Sequence, residues 1–189
     1  SVVTEKITFN GASSDGESCP AIVDPNLSLV INKTNASGNV TFGGTCSFDA
    51  VTVTDGIMDI ATNTITADDA ISVADGAQMK ISTGAFNADG TFTANSSGAV
   101  TFSDAGALIL SNTVTSLGTF TKSTGTVTYD EADAQTVDNV DYHHLVISGG
   151  ATKSLSNTTN VGGDLTVTSS TTVLAVGSNT IDVNGTTAI

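Results

Sequence analysis

The sequence predicts an all-β protein built as a single-stranded β-solenoid, in which one chain winds into stacked coils of short strands. Helical periodicity is nearly absent, and short segments alternate apolar and polar residues, as at 51–54, 99–102, 125–129 and 164–168. Turn signals recur 20, 22 and 20 residues apart, at Gly56, Gly76, Gly98 and Gly118. A period near 20 residues with two or three strands predicts about seven irregular coils.

The N-terminal segment differs in composition from the rest of the chain. Both prolines, Pro20 and Pro25, lie there, and turn-forming residues are frequent between 10 and 26. We therefore expect an arm or cap at 1–38 and the solenoid at 39–189. A β-sandwich is the alternative fold, because sandwiches also place a strand about every 8–12 residues.

The arm contains a strand that is a candidate for assembly. Residues 2–9 alternate so that Val3, Ile7 and Phe9 share one face. A strand of this kind could be donated to the sheet edge of a neighbouring subunit.

Composition excludes several functional classes. The chain has 189 residues and a formal net charge of -14, and its five basic residues are all lysines. A nucleic-acid binder needs many basic side chains to neutralise phosphates. Enzymes that act on phosphorylated or carboxylated substrates usually use arginine as a bidentate clamp, and the sequence has none. No apolar run reaches the roughly 20 residues of a membrane-spanning helix.

The ends and the cysteines indicate an exported protein. The sequence begins with Ser1, which we interpret as the start of a mature chain after removal of a signal peptide. The even cysteine count then predicts one disulfide between Cys19 and Cys46, with two free buried thiols as the alternative. We expect an extracellular or cell-surface location.

The last third of the chain carries a series of short patterns in a fixed order. These patterns are Gly125-Thr126-Val127-Thr128-Tyr129, Gln135-Thr136-Val137, Tyr142-His143-His144-Leu145-Val146-Ile147, Lys153-Ser154-Leu155 and Val161-Gly162-Gly163-Asp164-Leu165-Thr166. The series, at about 125–185, resembles a repeat of large bacterial secreted and cell-surface β-solenoid proteins. The resemblance implies an adhesive or structural role and no catalytic residues.

Two groups of side chains could carry metal or acid–base chemistry. The only histidines, His143 and His144, lie near Asp141, but neighbouring strand residues point to opposite faces. Carboxylates at turns could hold Ca²⁺, which prefers oxygen ligands, at Asp68, Asp69, Asp130, Glu131, Asp133, Asp138 and Asp141. Their spacing fits no calcium motif, so we interpret them as solvated turn residues. We expect no cofactor and no enzymatic activity.

The predicted function follows from the ends of the solenoid. No helix is predicted at either end, so each end leaves an open strand edge. A head-to-tail contact between such ends does not close and generates a filament. We therefore expect a homopolymeric extracellular filament or surface fibre, in the context of adhesion or biofilm. The alternatives are an adhesin that binds glycans or cell surfaces, and an ice-binding protein that uses the frequent Thr-x-Thr pairs.

Overall fold

The computed structural model describes residues 5–12, 16–35, 37–168 and 170–189. These residues contain 23 strands and no helix, hence no helix that could cross a membrane. The strands are β1 (Glu5–Gly11), β2 (Glu17–Cys19), β3 (Leu27–Lys33), β4 (Asn39–Phe42), β5 (Cys46–Phe48), β6 (Val51–Asp55), β7 (Ile57–Ala61), β8 (Thr64–Ala67), β9 (Ile71–Val73), β10 (Gln78–Ile81), β11 (Ala85–Ala88), β12 (Phe92–Phe102), β13 (Ala107–Leu110), β14 (Val114–Thr121), β15 (Thr126–Tyr129), β16 (Gln135–Val137), β17 (His144–Ile147), β18 (Ala151–Leu155), β19 (Thr159–Val161), β20 (Leu165–Val167), β21 (Thr172–Ala175), β22 (Ile181–Val183) and β23 (Thr187–Ala188).

The strands pair in parallel and form three faces of a solenoid. Face 1 contains β1, β3, β6, β9 and the first halves of β12 and β14, followed by β16, β18 and β21, which form a separate three-stranded sheet. Face 2 contains β2, β4, β7, β10 and the second halves of β12 and β14, followed by β19 and β22, which form a separate two-stranded sheet. Face 3 contains β5, β8, β11, β13, β15, β17, β20 and β23.

The predicted β-solenoid is confirmed, but the described strands form about nine coils rather than seven. The difference arises at the N-terminus, where β1, β2 and β3 join the same parallel ladders as later strands. The coil length agrees with the predicted period. Val51 pairs with Ile71 and Ile71 pairs with Phe92, which are offsets of 20 and 21 residues.

Inward side chains stack into continuous apolar rows, because each coil places the same strand position above that of the coil before. On face 3 one row consists of fully or almost fully buried residues: Cys46, Ile65, Phe86, Leu108, Val127, Leu145 and Leu165. Burial of these rows is the main force that holds the coils together.

Outward positions are mostly small and uncharged. Thr52, Ser72 and Thr93 follow one another on face 1, where stacked like charges would repel across neighbouring strands. Carboxylates lie instead at the corner that follows face 3. Asp68 comes directly after β8, and Asp89 comes directly after β11.

Gly56 shows why glycine is needed at a corner. Its φ of +83° is unfavourable for other residues. A Cβ added there would lie 2.6 Å from the Cβ of Lys33 and 2.7 Å from the carbonyl oxygen of Gly38. The glycine therefore allows the third coil to pack closely on the second.

Candidate functional site

The last coil of the described residues, β21 to β23, lies at one end of the solenoid and has a neighbouring coil on one side only. Among the described strands, β21, β22 and β23 each have a single ladder neighbour: β18, β19 and β20, respectively. Their outer edges therefore present backbone N–H and C=O groups that can pair with a further strand.

An apolar cavity of about 540 Å³ opens at this end. Its walls include residues from all three faces of the last two coils: Leu165, Val167, Leu174, Val176, Ile181 and Val183. It is the continuation of the solenoid core, bounded on one side by the last coil. An apolar surface of this kind is typical of an interaction site.

Burial falls sharply along the inward rows as they reach this end. Leu145 is fully buried, whereas Leu174, Ile181 and Val183 in the last coil are only half-buried. Ile189 is 97% exposed. The reason is geometric, since an inward side chain is covered only when a coil lies on each side of it.

The last coil is nevertheless attached by specific hydrogen bonds. The carboxylate of Asp164 accepts bonds from the backbone N–H of Thr186 at 2.8 Å and from its hydroxyl at 2.7 Å. These two bonds lower the pKa of Asp164. Gly150 N–H donates to the hydroxyl of Thr172 at 2.9 Å. The last coil is thus held to the coil before it by side-chain hydrogen bonds as well as by its ladders.

Charge is sparse at this end. Residues 171–189 contain a single charged residue, Asp182, in a chain with a net charge of -14. Repulsion between two copies of the chain is therefore weaker here than at the acidic corners.

The first coil forms the opposite end. Its strand β1 pairs with β3 along one edge, and Ile7 and Phe9 point inward and are half-buried. Val3, the third residue of the predicted assembly strand, lies outside the described residues. Val23 is 73% exposed beside this coil. The first coil thus offers a second half-covered apolar layer.

Cys19 and Cys46 are both buried, and the structure contains them as two free thiols rather than as the predicted disulfide. Each side chain points into the core. Cys46 Sγ donates weakly to the carbonyl oxygens of Gly44 at 3.5 Å and Pro20 at 3.6 Å. Burial, with Cys46 nearby, raises the pKa of Cys19 to about 11. Both residues behave as small apolar side chains.

Several polar side chains, among them Lys153 and Gln135, are buried, which we did not predict from the sequence. Lys153 points inward, and its ammonium donates to the carbonyl oxygens of Glu131, Asp133 and Gly150. Burial lowers its pKa. One turn of the solenoid earlier, Gln135 Nε2 donates to the carbonyl oxygens of Leu110, at the end of β13, and of Asn112. Both side chains satisfy corner carbonyls from inside the core.

A buried tyrosine pair closes the neighbouring corner. The hydroxyls of Tyr129 and Tyr142 lie 2.9 Å apart, and Tyr142 also donates to the carbonyl oxygen of Asp138 at 2.8 Å. Burial raises the pKa of both tyrosines. The Asp138 carboxylate accepts the N–H of Leu117 from the preceding coil at 2.7 Å. This carboxylate, one of those considered for Ca²⁺, therefore has a structural role.

The predicted chemical clusters do not converge. His143 and His144 lie side by side near the surface, and Asp164 N–H donates to His144 Nδ1 at 3.0 Å. Asp68 and Asp130 flank Asp89 along the corner, and burial and these like charges raise the pKa of Asp89. Within the part of the chain that the structure describes, no group of three or more such side chains is arranged to hold a metal ion.

The Thr-x-Thr pairs are distributed over different faces. Thr64–Thr66 and Thr126–Thr128 lie on face 3, where Ala85, Asn87, Ala107 and Ile109 occupy the coils between them. No two of these pairs on face 3 are adjacent, so this part of the chain does not present a regular threonine array.

A comparison of the chain with protein-family models, curated proteins and solved structures finds no match.

Proposed function

We propose that the protein is a structural subunit of an extracellular filament or surface fibre, which assembles head-to-tail through the two ends of its solenoid. The observation that carries the proposal is the half-covered apolar layer at the last coil, with its cavity of about 540 Å³ and three open strand edges. Stacking another coil on this layer would bury Leu174, Ile181 and Val183 and pair the free backbone groups.

A second copy of the chain is the partner that fits best. All ladders are parallel, so the outer edges at the two ends are complementary. The contact joins two different surfaces, the last coil of one copy and the first coil of the next. Such a heterologous contact leaves a free surface at each end of every assembly, and growth therefore continues into a filament.

The test is assembly of the purified chain as a function of concentration, followed by light scattering and negative-stain microscopy. Concentration-dependent filaments are the expected result. Because the net charge of -14 makes copies repel, assembly should increase when ionic strength rises from about 0.01 M to 0.15 M and screening strengthens. A stable monomer at every concentration and salt would refute the proposal. Such a monomer, if it bound a glycan array, would support an adhesin instead.

A matched pair of variants locates the contact. Leu174→Asp places a charge in the apolar layer and should abolish filaments, because the charge would be buried without a partner. Asn184→Asp places the same charge at an exposed position of the same coil and should leave filaments intact. Circular dichroism of both variants confirms that the rest of the fold is unchanged. Filaments that form equally with Leu174→Asp would place the contact elsewhere.

A further inference from the structure

We infer that two copies join in one fixed register on face 1, with β21 of one copy paired to β1 of the next so that Leu174 meets Ile7 and Val176 meets Phe9. This inference rests on the proposed head-to-tail assembly and specifies the alignment of its contact. The alignment follows from the inward positions of face 1 in the first coil and in the last.

The first coil fixes one half of the register. Ile7 lies directly above Leu29 in the β1–β3 ladder, and Leu29 lies above Val51 in the next ladder. Phe9 lies above Ile31 in the same way. Ile7 and Phe9 are therefore the first members of the two inward rows of face 1.

The last coil fixes the other half. Lys153 follows Gln135 in the first inward row, and Leu174 follows Lys153. Val176 is two residues beyond Leu174 and borders the same cavity. Within face 1, β16 follows β14 without pairing to it, and the N–H of Leu117 in β14 donates to Asp138 beside β16. Leu174 and Val176 thus occupy the positions in the last coil that Ile7 and Phe9 occupy in the first, and the apolar rows continue across the contact only in the proposed register.

Shifted registers are disfavoured for a physical reason. A shift of one residue would turn the inward side chains of one strand toward the solvent. A shift of two residues keeps the inward direction but leaves Ile7 or Phe9 without an apolar partner. Charges do not oppose the proposed register, since Lys6 of one copy would face the uncharged Val173 of the other.

Cysteine cross-linking tests this register directly. Thr8 and Ala175 belong to the outward row of face 1, and in the proposed register they are neighbours across the contact. Paired strands lie about 4.8 Å apart, which is within disulfide reach. The Thr8→Cys/Ala175→Cys double variant, assembled and then mildly oxidised, should form a covalent ladder of oligomers in a denaturing gel.

The matched control is Asn10→Cys/Ala175→Cys, in which the first cysteine is shifted by two residues along the same strand. Its Cα atoms would be about 8 Å apart, beyond the usual disulfide range, so we expect at least about tenfold less cross-linking. The parent chain and the single variants control for the native cysteines. Filaments that cross-link better through Asn10→Cys overturn the register while head-to-tail assembly stands. Absence of filaments in the parent chain overturns both proposals.

Discussion

The middle of the solenoid and its last coil use the same kinds of residues with different results. Phe86, in the middle, is fully buried because a coil lies on each side of it. Leu174 also points inward, yet it remains half-exposed beside a cavity. Both residues are apolar, and each lies at an inward position of a short strand. The difference shows that burial in a solenoid depends on neighbouring coils. Burial therefore stabilises the last coil less than a coil in the middle, unless another chain covers it.

The largest expected effect contrasts these two positions. Phe86→Ala should destabilise the fold by about 3–5 kcal/mol, because it leaves a cavity in a closed core. Leu174→Ala should cost only about 1 kcal/mol, since its side chain is half-exposed before the change. Urea unfolding monitored by circular dichroism measures both. Equal losses would show that the last coil is as well covered as the middle.

The second prediction concerns the polar interior near the last coils. Lys153→Met keeps much of the side-chain volume but removes the donor to three carbonyl oxygens, so we expect a loss of about 2–3 kcal/mol. The control is Lys80→Met, which removes one ion pair at 2.9 Å between the partly exposed Lys80 and the buried Asp59 and should cost less than the loss of three bonds by Lys153. If the two variants unfold at the same urea concentration, the bonds of Lys153 are not important for stability.

The smallest expected effects are electrostatic and have opposite signs at the middle and the end. The raised pKa of Asp89 means that the folded state holds this proton more tightly than the unfolded state. Ionised Asp89 therefore lowers the stability of the fold at pH values above its raised pKa. This loss of stability disappears as the pH falls through the raised pKa, because the carboxyl group is then protonated. Asp89→Asn should raise the Tm at pH 7 and have no effect near pH 3.

Asp164 is the matched position at the last coil. Its pKa is lowered by the bonds from Thr186, so its contribution to stability is present above the ordinary value of 3.8 and is lost as pH falls through the lowered pKa. Asp164→Asn should increase amide hydrogen exchange in β23 at pH 7. A slower exchange, or a lower Tm for Asp89→Asn at pH 7, would contradict the assigned signs.

The sequence was sufficient to predict the solenoid because its two signals are local. Alternation marks each strand, and turn residues such as Gly56 mark the corners at a regular period. It was not sufficient for the interior of the last coils. Lys153 and Gln135 are polar, and a polar residue in an alternating pattern is normally assigned to the outside. The sequence did contain a signal for inward Gln135 and Lys153. In Gln135-Thr136-Val137 and Lys153-Ser154-Leu155, the polar first residue lies on the same face of the strand as the buried apolar third residue.

The candidate site was predicted only in outline. Open strand edges follow from the strand pattern near the C-terminus, but the cavity depends on how three faces converge in space. The cysteine pairing also depends on three-dimensional placement. Cys19 and Cys46 lie on different faces, but their buried side chains come close together, so that burial and the neighbouring Cys46 both raise the pKa of Cys19. The even count therefore predicted their proximity but not their bonding state.

The most direct test of the account is cryo-electron microscopy of the assembled chain. If copies stack coil on coil, the strands lie across the filament axis. About nine coils spaced about 4.8 Å apart then give an axial rise of about 43 Å for each subunit. A filament with this rise, in which β21 of one subunit pairs with β1 of the next, is the result we predict. Strands that run along the axis, or subunits that touch through their lateral faces, would contradict it.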